Sequence, residues 1–100
     1  MARRKIAVRF TRRARERLAS IRRYLIERNP PASARVLAQI LKTTSLLGDF
    51  PELGRKTGTQ DILEIVVPRY GYVVAYRIDA SGRSISILGV FHPAQGSRDV

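Results

Sequence analysis

Residues 61–92 decide the fold of this chain, and they read DILEIVVPRYGYVVAYRIDASGRSISILGVFH. Three runs in this stretch are rich in Val, Ile and Tyr, and residues 68–71 and 79–82 separate them. β-Branched and aromatic side chains fit a pleated, half-buried surface, whereas Pro, Gly, Asp and Ser favour turns. The stretch therefore predicts an antiparallel meander of three strands, and the preceding residues must cover one face of it.

The segment before the meander begins with a strand and a helix. Apolar residues alternate with others over residues 5–10, which predicts a strand. Thr11 can then cap a helix, because its hydroxyl can accept a hydrogen bond from an early N–H group. The apolar face of this helix recurs at steps of four, three and four residues: Ala14, Leu18, Ile21 and Leu25. The helix ends before Pro30, because a residue that precedes proline avoids the α region.

A second helix follows with almost no linker, so the two helices are predicted to form an antiparallel hairpin. Pro31 is tolerated in its first turn, and Gly48 fits its C-cap. Its predicted inner face consists of Ala34, Leu37, Ile40, Leu41, Thr44 and Leu47. The predicted fold class is α+β in the order β-α-α-β-β-β: an N-terminal strand, a helical hairpin and a three-stranded antiparallel meander. Residues 1–100 form one domain, with a loose tail over about residues 93–100.

Both faces of the predicted meander are apolar over much of their length. Strict alternation places Tyr72 and Val74 on one face of the second strand, and Val73 and Arg77 on the other. In the third strand, strict alternation places Ile85, Ile87, Gly89 and Phe91 on one face and Ser84, Ser86, Leu88 and Val90 on the other. One face should meet the helices. The other, with Arg77 as its main charged residue, is expected to bind a partner.

The charge of the chain is concentrated near its N-terminus. The formal net charge is +11, and residues 1–28 carry 11 basic and 2 acidic groups. Six arginines cover the first helix around its apolar face: Arg12, Arg13, Arg15, Arg17, Arg22 and Arg23. A field of this strength implies an acidic partner, which can be a nucleic acid, an acidic protein or an anionic surface.

Composition excludes several kinds of site. The chain has no Cys, which excludes disulfides and thiolate zinc sites and fits a cytoplasmic protein. No apolar run approaches the roughly 20 residues of a membrane span. The only histidine is His92, and no carboxylate cluster accompanies it, so no metal site is expected. No phosphate-binding Gly loop is present, and no cofactor is expected.

Basic and aromatic residues in and beside the meander allow two interpretations. Arg69 and Arg77, with Tyr70, Tyr72 and His92, can form a surface in which Arg holds a phosphate and Tyr stacks on a base. His92 is then a general acid or base facing RNA. Alternatively, the arginines are hydrophilic strand ends, and the histidine hydrogen-bonds a nearby carbonyl group.

Six short pieces of sequence carry a further signal over about residues 6–95. They are VRFT at 8–11 with Ala14 and Leu18, IRRY at 21–24 with Leu25, ARVLAQI at 34–40, FPELGR at 50–55, VVAYR at 73–77 and ILGVFHPAQ at 87–95. In their order and spacing these pieces resemble the ParE/RelE superfamily of bacterial type II toxins, and most closely its ParE branch. The resemblance implies a single toxin domain in which a helical hairpin packs on a twisted antiparallel sheet.

The resemblance implies two candidate functions, because both branches share the fold. RelE-like members cleave mRNA on the ribosome with basic residues and a Tyr or His on the sheet, whereas ParE-like members are not nucleases and inhibit DNA gyrase. The nucleases carry a catalytic Arg about three residues before a strand Tyr, and counting back from Tyr76 gives Val73 here. A Val cannot stabilise a pentavalent phosphate, and Pro93 after His92 also departs from the nuclease pattern. Both departures favour a non-enzymatic ParE-like toxin.

The resemblance, together with these departures, therefore implies a ParE-like toxin that inhibits DNA gyrase, is neutralised by an acidic antitoxin (ParD-like or similar) and acts in plasmid stabilisation. Two alternatives are a ribosome-dependent mRNA endonuclease that uses Arg69, Arg77 and His92, and a toxin-fold protein that only binds its antitoxin. The predicted antitoxin-binding residues are Arg12, Arg13, Arg22, Arg23, Tyr72, Val74 and Arg77. Direct nucleic-acid binding is not expected outside a toxin–antitoxin complex on its operator.

Overall fold

Two helices pack on one five-stranded sheet in the computed structural model, which describes residues 5–92. In chain order the elements are β1 (Ala7–Phe10), α1 (Arg12–Arg28), α2 (Pro30–Asp49), β2 (Arg55–Lys56), β3 (Leu63–Val66), β4 (Val73–Ile78) and β5 (Ser84–Phe91). This order confirms the predicted β-α-α-β-β-β arrangement. It adds the two-residue strand β2, in a segment that was expected to be loop and turn. The tail predicted for residues 93–100 lies outside the described residues.

The sheet has the strand order β1-β5-β4-β3-β2. Strands β3, β4 and β5 pair in antiparallel fashion, which confirms the meander. The N-terminal strand β1 instead pairs in parallel with the last strand, so that Val8 lies opposite Ile85. A parallel pair needs a long crossover, and the helical hairpin is the first part of that connection. The sheet therefore has β1 as one edge and the short β2 as the other.

Thr11 caps α1 as predicted, and Asn29 caps both helices at the predicted break before Pro30. The Thr11 hydroxyl accepts a hydrogen bond from the Ala14 N–H at 3.1 Å and caps α1. Asn29 serves both helices: its N–H donates to Leu25 O at 2.6 Å, and its side-chain oxygen accepts from the Ala32 N–H at 3.3 Å. Because Asn29 ends α1 and also begins α2, no loop separates the two helices. The hairpin geometry is therefore fixed locally.

Gly48 does not form the predicted C-cap, because α2 continues to Asp49 and its C-cap is Phe50. Its role is close packing against the N-terminal strand segment. The Ile6 N–H donates to Gly48 O at 2.9 Å, and a Cβ atom at position 48 would lie 2.9 Å from Ile6 O. The missing side chain therefore lets the start of the sheet approach the last turn of α2.

The inner face of α1 is confirmed, because Ala14 is fully buried and Leu18, Ile21 and Leu25 pack against the core. The predicted face of α2 is partly wrong. Leu41 is 49% exposed and Ala34 is also exposed, whereas Val36 is buried. Ser33, Thr43 and Thr44 are buried beside Ile40 and Leu47. The two threonine hydroxyls donate to carbonyl groups of the helix itself, which satisfies them and allows polar residues to occupy the inner face.

A β-bulge in β5 changes which side chains face the helices. Ala75 pairs with Gly89, but the next residue, Tyr76, pairs with Ile87, which leaves Leu88 as an extra residue. Val90 therefore joins the core with Ile85 and Ile87, and strict alternation gives the wrong face from this point onward. The face of the sheet that points away from the two helices is hereafter called the open face.

Tyr76 connects the core of the sheet to the loop after α2. It has no exposed surface, its hydroxyl donates to Pro51 O at 2.8 Å, and it accepts from the Gly54 N–H at 2.8 Å. Desolvation by burial raises the pKa of Tyr76 above its ordinary value of 10.0. The phenol is therefore a neutral structural link, and the loop carrying FPELGR is fixed by it.

The β4–β5 hairpin is organised by the carboxylate of Asp79. The Ser84 hydroxyl donates to it at 2.9 Å, the Arg83 N–H at 3.0 Å, and the Ser81 hydroxyl at 3.0 Å. The Ser84 hydrogen bond is the largest of the interactions that lower the pKa of Asp79, from 3.8 to about 2. Ordinary turn chemistry thus explains the break that the sequence places at residues 79–82.

Because the pKa of Asp79 is lowered in the folded state, its contribution to stability is complete above pH 4 and is lost as the pH falls towards 2. We expect the unfolding temperature of Asp79→Asn to fall less steeply than that of the wild type as the pH is lowered from 4 to 2, as measured by thermal unfolding at a series of pH values. Asp61→Asn is the matched control, since Asp61 lies outside this network and Asn tolerates its positive φ of 66°. If the unfolding temperature of Asp79→Asn falls as steeply as that of the wild type, the Asp79 carboxylate does not make this contribution to stability.

Candidate functional site

Helix α1 presents a cationic surface that faces away from the core. Its 17 residues contain seven arginines and two glutamates, and Arg12, Arg13, Arg22 and Arg23 are all exposed. Arg12 pairs with Glu16 at 3.3 Å. Among the described residues, Arg13, Arg22 and Arg23 have no carboxylate within ion-pair distance. These four arginines are hereafter the α1 basic surface, and the charge of the three unpaired ones remains available to a partner.

The other predicted antitoxin-binding residues do not share this surface. Tyr72 is 4% exposed and Val74 is fully buried, and both belong to the core between the sheet and the helices. Arg77 is exposed but lies on the open face, because its neighbour Tyr76 faces the core. In the free protein Tyr72 and Val74 are therefore not exposed to a partner, and the sheet separates them from Arg77, as strict alternation predicts. Their contact with an antitoxin stays a prediction.

The three residues of the nuclease alternative do not converge either. Arg77 pairs with Ser86 near the start of β5, whereas His92 follows the end of that strand. Six residues of extended chain separate Ser86 from His92, which corresponds to about 20 Å. Arg69 lies in the turn between β3 and β4, at the same end of the sheet as His92. The geometry therefore brings Arg69 near His92 and leaves Arg77 apart.

His92 is held by the turn between β3 and β4. Its Nε2 atom lies 2.9 Å from Tyr70 O, and its ring meets the ring of Tyr72 edge to face with centroids 4.9 Å apart. Gly71 has φ 74°, and a Cβ atom there would lie 3.3 Å from the His92 Nε2. Arg69 in the same turn has φ 80°, a left-handed conformation that is uncommon for a residue other than glycine. This contact is the one that the structural interpretation of His92 predicted.

A small cleft lies beside His92, between α1 and the end of β5. Its volume is about 100 Å³. It is lined by Arg17, Ser20, Ile21, Tyr24, Tyr72, Val90, Phe91 and His92. Arg28 stacks over the Tyr24 ring at 3.9 Å at the outer end of this face of α1. The cleft therefore combines aromatic walls with a cationic rim.

Val73 stands in a row of apolar side chains that crosses three strands on the open face. Val73 pairs with Val66 of β3 and with Phe91 of β5, and paired residues lie on the same face. Val66 is 54% exposed, whereas Val73 and Phe91 are almost buried. No cationic side chain therefore stands in this row, at the place where the resemblance puts a catalytic Arg in the nucleases.

A groove beside the edge strand β1 was not predicted from the sequence. It has a volume of about 540 Å³ and is lined by Lys5, Ile6, Ala7, Val8, Phe10, Thr44 and Ser45. The Ile6 N–H points towards α2, so the N–H groups of Val8 and Phe10 point to the same edge by alternation. An edge strand beside a groove can accept a further strand. The only signal in the sequence was the short alternating run itself.

Comparison with known proteins decides the family. A family model described as the ParE toxin of the type II toxin–antitoxin system parDE matches residues 8–96. The chain belongs to the ParE toxin family. A ParE-family protein is a type II toxin, and its partner is an antitoxin. Within the described residues, no helix combines the length and the apolar character needed to cross a membrane.

Two relatives are similar to the chain in sequence, and one solved structure is similar to it in fold. The chain is 36% identical over 88 residues to the putative toxin Y4kP of Sinorhizobium fredii, covering 88% of both proteins. It is 37% identical over 68 residues to Toxin RelE3 of Caulobacter vibrioides, covering 66% of this chain and 73% of that one. Its fold matches a chain of the chromosomal ParDE toxin–antitoxin system from P. aeruginosa, with a TM-score of 0.78 and 18% identity, covering 88% of this chain and 96% of that one.

Proposed function

We propose that this ParE-family toxin inhibits DNA gyrase without cleaving nucleic acid. The observation that carries the proposal is the apolar row of Val66, Val73 and Phe91 on the open face. Phosphoryl transfer needs cationic groups aimed at the charge that develops on the phosphate, and a row of apolar side chains cannot supply them. Tyr76, the strand Tyr of the VVAYR piece, is buried and donates to Pro51 O. It is therefore inaccessible to a substrate.

A ribosome-dependent endonuclease is the second candidate, because one relative carries the name Toxin RelE3. In this alternative, His92 with Arg69 and Arg77 performs the reaction. The separation between Arg77 and His92 along β5 argues against a shared site. His92 also uses its Nε2 atom for the contact with Tyr70 O. A protein that only binds its antitoxin is the third candidate.

The acidic antitoxin segment, in this proposal, follows the α1 basic surface. The exposed arginines offer charge-assisted hydrogen bonds to carboxylates, and three of them have no described acidic partner. The groove along β1 can receive an extended segment that pairs with the free strand edge. A segment that becomes ordered on this surface would use main-chain pairing for affinity and arginine contacts for fast, charge-steered association.

Purified, antitoxin-free protein is expected to inhibit DNA supercoiling by gyrase at close to stoichiometric amounts. The measurement is a supercoiling assay with the protein titrated against a fixed gyrase concentration. Protein mixed first with its cognate antitoxin is the control and should leave supercoiling unchanged. Folded protein that fails to inhibit gyrase but cleaves mRNA on ribosomes would support the endonuclease. Folded protein with neither activity would support a function limited to antitoxin binding.

His92→Ala is expected to retain toxicity, because His92 is held in a structural contact and no reaction depends on it in the gyrase proposal. The measurement is growth arrest on induction, compared with the wild type at equal protein level. His92→Gln keeps a group that can hydrogen-bond Tyr70 O but cannot act as an acid or base near neutral pH. If both variants are folded and non-toxic, His92 is catalytic. If only His92→Ala loses toxicity, the contact with Tyr70 is what matters.

A further inference from the structure

Three strands place two arginines and a serine in one row on the open face. Ser86 of β5 pairs with Arg9 of β1 on one side and with Arg77 of β4 on the other. Neighbouring strands lie about 4.8 Å apart, so the Cα atoms of the two arginines are about 10 Å apart. Val8 and Tyr76 face the core, so Arg9 and Arg77 point to the opposite side of the sheet. These three residues are hereafter the Arg9–Ser86–Arg77 row.

The arginines of this row are free to bind a ligand. Both are exposed, and neither has an acidic partner among the described residues. The nearest carboxylate along β4 is that of Asp79, which is already occupied by Ser81, Ser84 and the Arg83 N–H. Glu64 of β3 pairs with Ala75 and so lies on the same face, one row from Arg77; its Oε1 atom is 3.9 Å from Arg55 Nη2. Within the described chain, neither arginine of the row therefore forms an ion pair with a carboxylate.

Small side chains flank the row on β1, β4 and part of β5. Ala7 and Ser84 form the paired row on one side of it, and Ala75 and Gly89, with Glu64 of β3, form the row beyond the bulge. The Ser84 hydroxyl is used by Asp79, whereas the Ser86 hydroxyl lies between the two arginines. A ligand group can therefore approach the strands closely and meet two guanidinium groups and one hydroxyl at the same point.

We propose that the Arg9–Ser86–Arg77 row binds a backbone phosphate of a nucleic acid strand. A phosphodiester has acceptor oxygens that point in several directions, so it can bridge two guanidinium groups and accept a third hydrogen bond from Ser86. A carboxylate is satisfied by a single bidentate Arg and does not need this spacing. The excess of positive charge on the whole chain raises the local concentration of such a ligand.

This site lies across the sheet from the α1 basic surface, and it does not depend on the proposed gyrase inhibition. It differs from the nuclease position, because Val66, Val73 and Phe91 stand at the other end of the open face. No chemical step is assigned to it. An antitoxin segment on α1 would leave the row open, so a toxin–antitoxin complex could hold a nucleic acid strand with both surfaces of the toxin occupied.

The test is fluorescence anisotropy with free toxin and a labelled strand about 12 nucleotides long, prepared once as DNA and once as RNA. We expect Arg9→Ala/Arg77→Ala to weaken binding about tenfold. We expect it to reduce the salt slope of log K by about 0.7 for each phosphate that the variant no longer neutralises. Ser86→Ala should weaken binding about threefold without any change in net charge. A preference for DNA or for RNA identifies the natural strand.

Arg35→Ala/Lys42→Ala is the matched control, because both residues are exposed on α2 and the charge change is the same. We expect the loss of binding free energy in this control to be less than half of the loss in Arg9→Ala/Arg77→Ala. Equal losses in both double variants, with no effect of Ser86→Ala, would overturn the site and leave only a general charge effect. A poly-glutamate peptide that binds with the same sensitivity to Ser86→Ala would overturn the phosphate assignment. Failure of the wild type to bind either strand would also overturn it.

Discussion

Tyr76→Phe is expected to lower the free energy of unfolding by about 2–3 kcal/mol, because it removes two hydrogen bonds and leaves their partners unsatisfied. The partners are Pro51 O and the Gly54 N–H, each 2.8 Å from the Tyr76 hydroxyl. The measurement is equilibrium unfolding in urea, with the dependence on denaturant concentration compared as well as the midpoint. Tyr70→Phe is the matched control and is expected to change stability by less than about 0.5 kcal/mol.

Gly54→Ala tests the same link from the other side. A Cβ atom at position 54 would lie 2.6 Å from the Tyr76 hydroxyl oxygen and 2.7 Å from Glu64 O, so the loop must move. We expect a loss of about 1–3 kcal/mol. Gly58→Ala is the control, because a Cβ atom there meets nothing within 4 Å. The loss should be smaller when Tyr76 is already Phe, since one of the clashing atoms is gone. Full additivity of the two changes would contradict this packing.

Charge reversal of the α1 basic surface is expected to weaken antitoxin binding by at least about 100-fold at low salt. The changes are Arg12→Glu, Arg13→Glu, Arg22→Glu and Arg23→Glu, which turn attraction for an acidic segment into repulsion. Most of the loss should disappear as the salt concentration rises, because these charges are exposed and screened. The measurement is a titration of the variant toxin with its cognate antitoxin at several salt concentrations.

Reversing four charges elsewhere on the protein distinguishes the loss of a local contact from an effect of net charge. Arg35, Lys42, Lys56 and Arg83 are also exposed, and their replacement by Glu changes the net charge by the same amount. This control variant is expected to lose less than about tenfold in affinity, through slower charge-steered association. If both variants lose affinity equally, the effect is one of total charge. If neither affinity nor its salt dependence changes in the first variant, the antitoxin binds another surface.

The sequence alone was sufficient for the order of the elements and for every element except the short strand β2. Thr11 and Asn29 carry local capping chemistry, and Pro30 fixes the break between the helices, so their effect does not depend on distant residues. The runs of Val, Ile and Tyr predicted the meander for the same reason, since turn residues separate them at short range. The concentration of arginine in residues 12–28 and the resemblance to the ParE/RelE superfamily were also evident from the order of residues.

The tertiary structure decided which of these residues meet one another. One extra residue at Leu88 reverses the faces beyond it, and a bulge has no local signature that alternation can detect. The parallel pairing of β1 with β5 joins residues separated by more than 70 positions, and only this register brings Arg9 and Arg77 to Ser86. Burial likewise removed Tyr72 and Val74 from the candidate surface. Local sequence fixes backbone preference, whereas register and burial arise from packing of the whole chain, and the candidate sites depend on both.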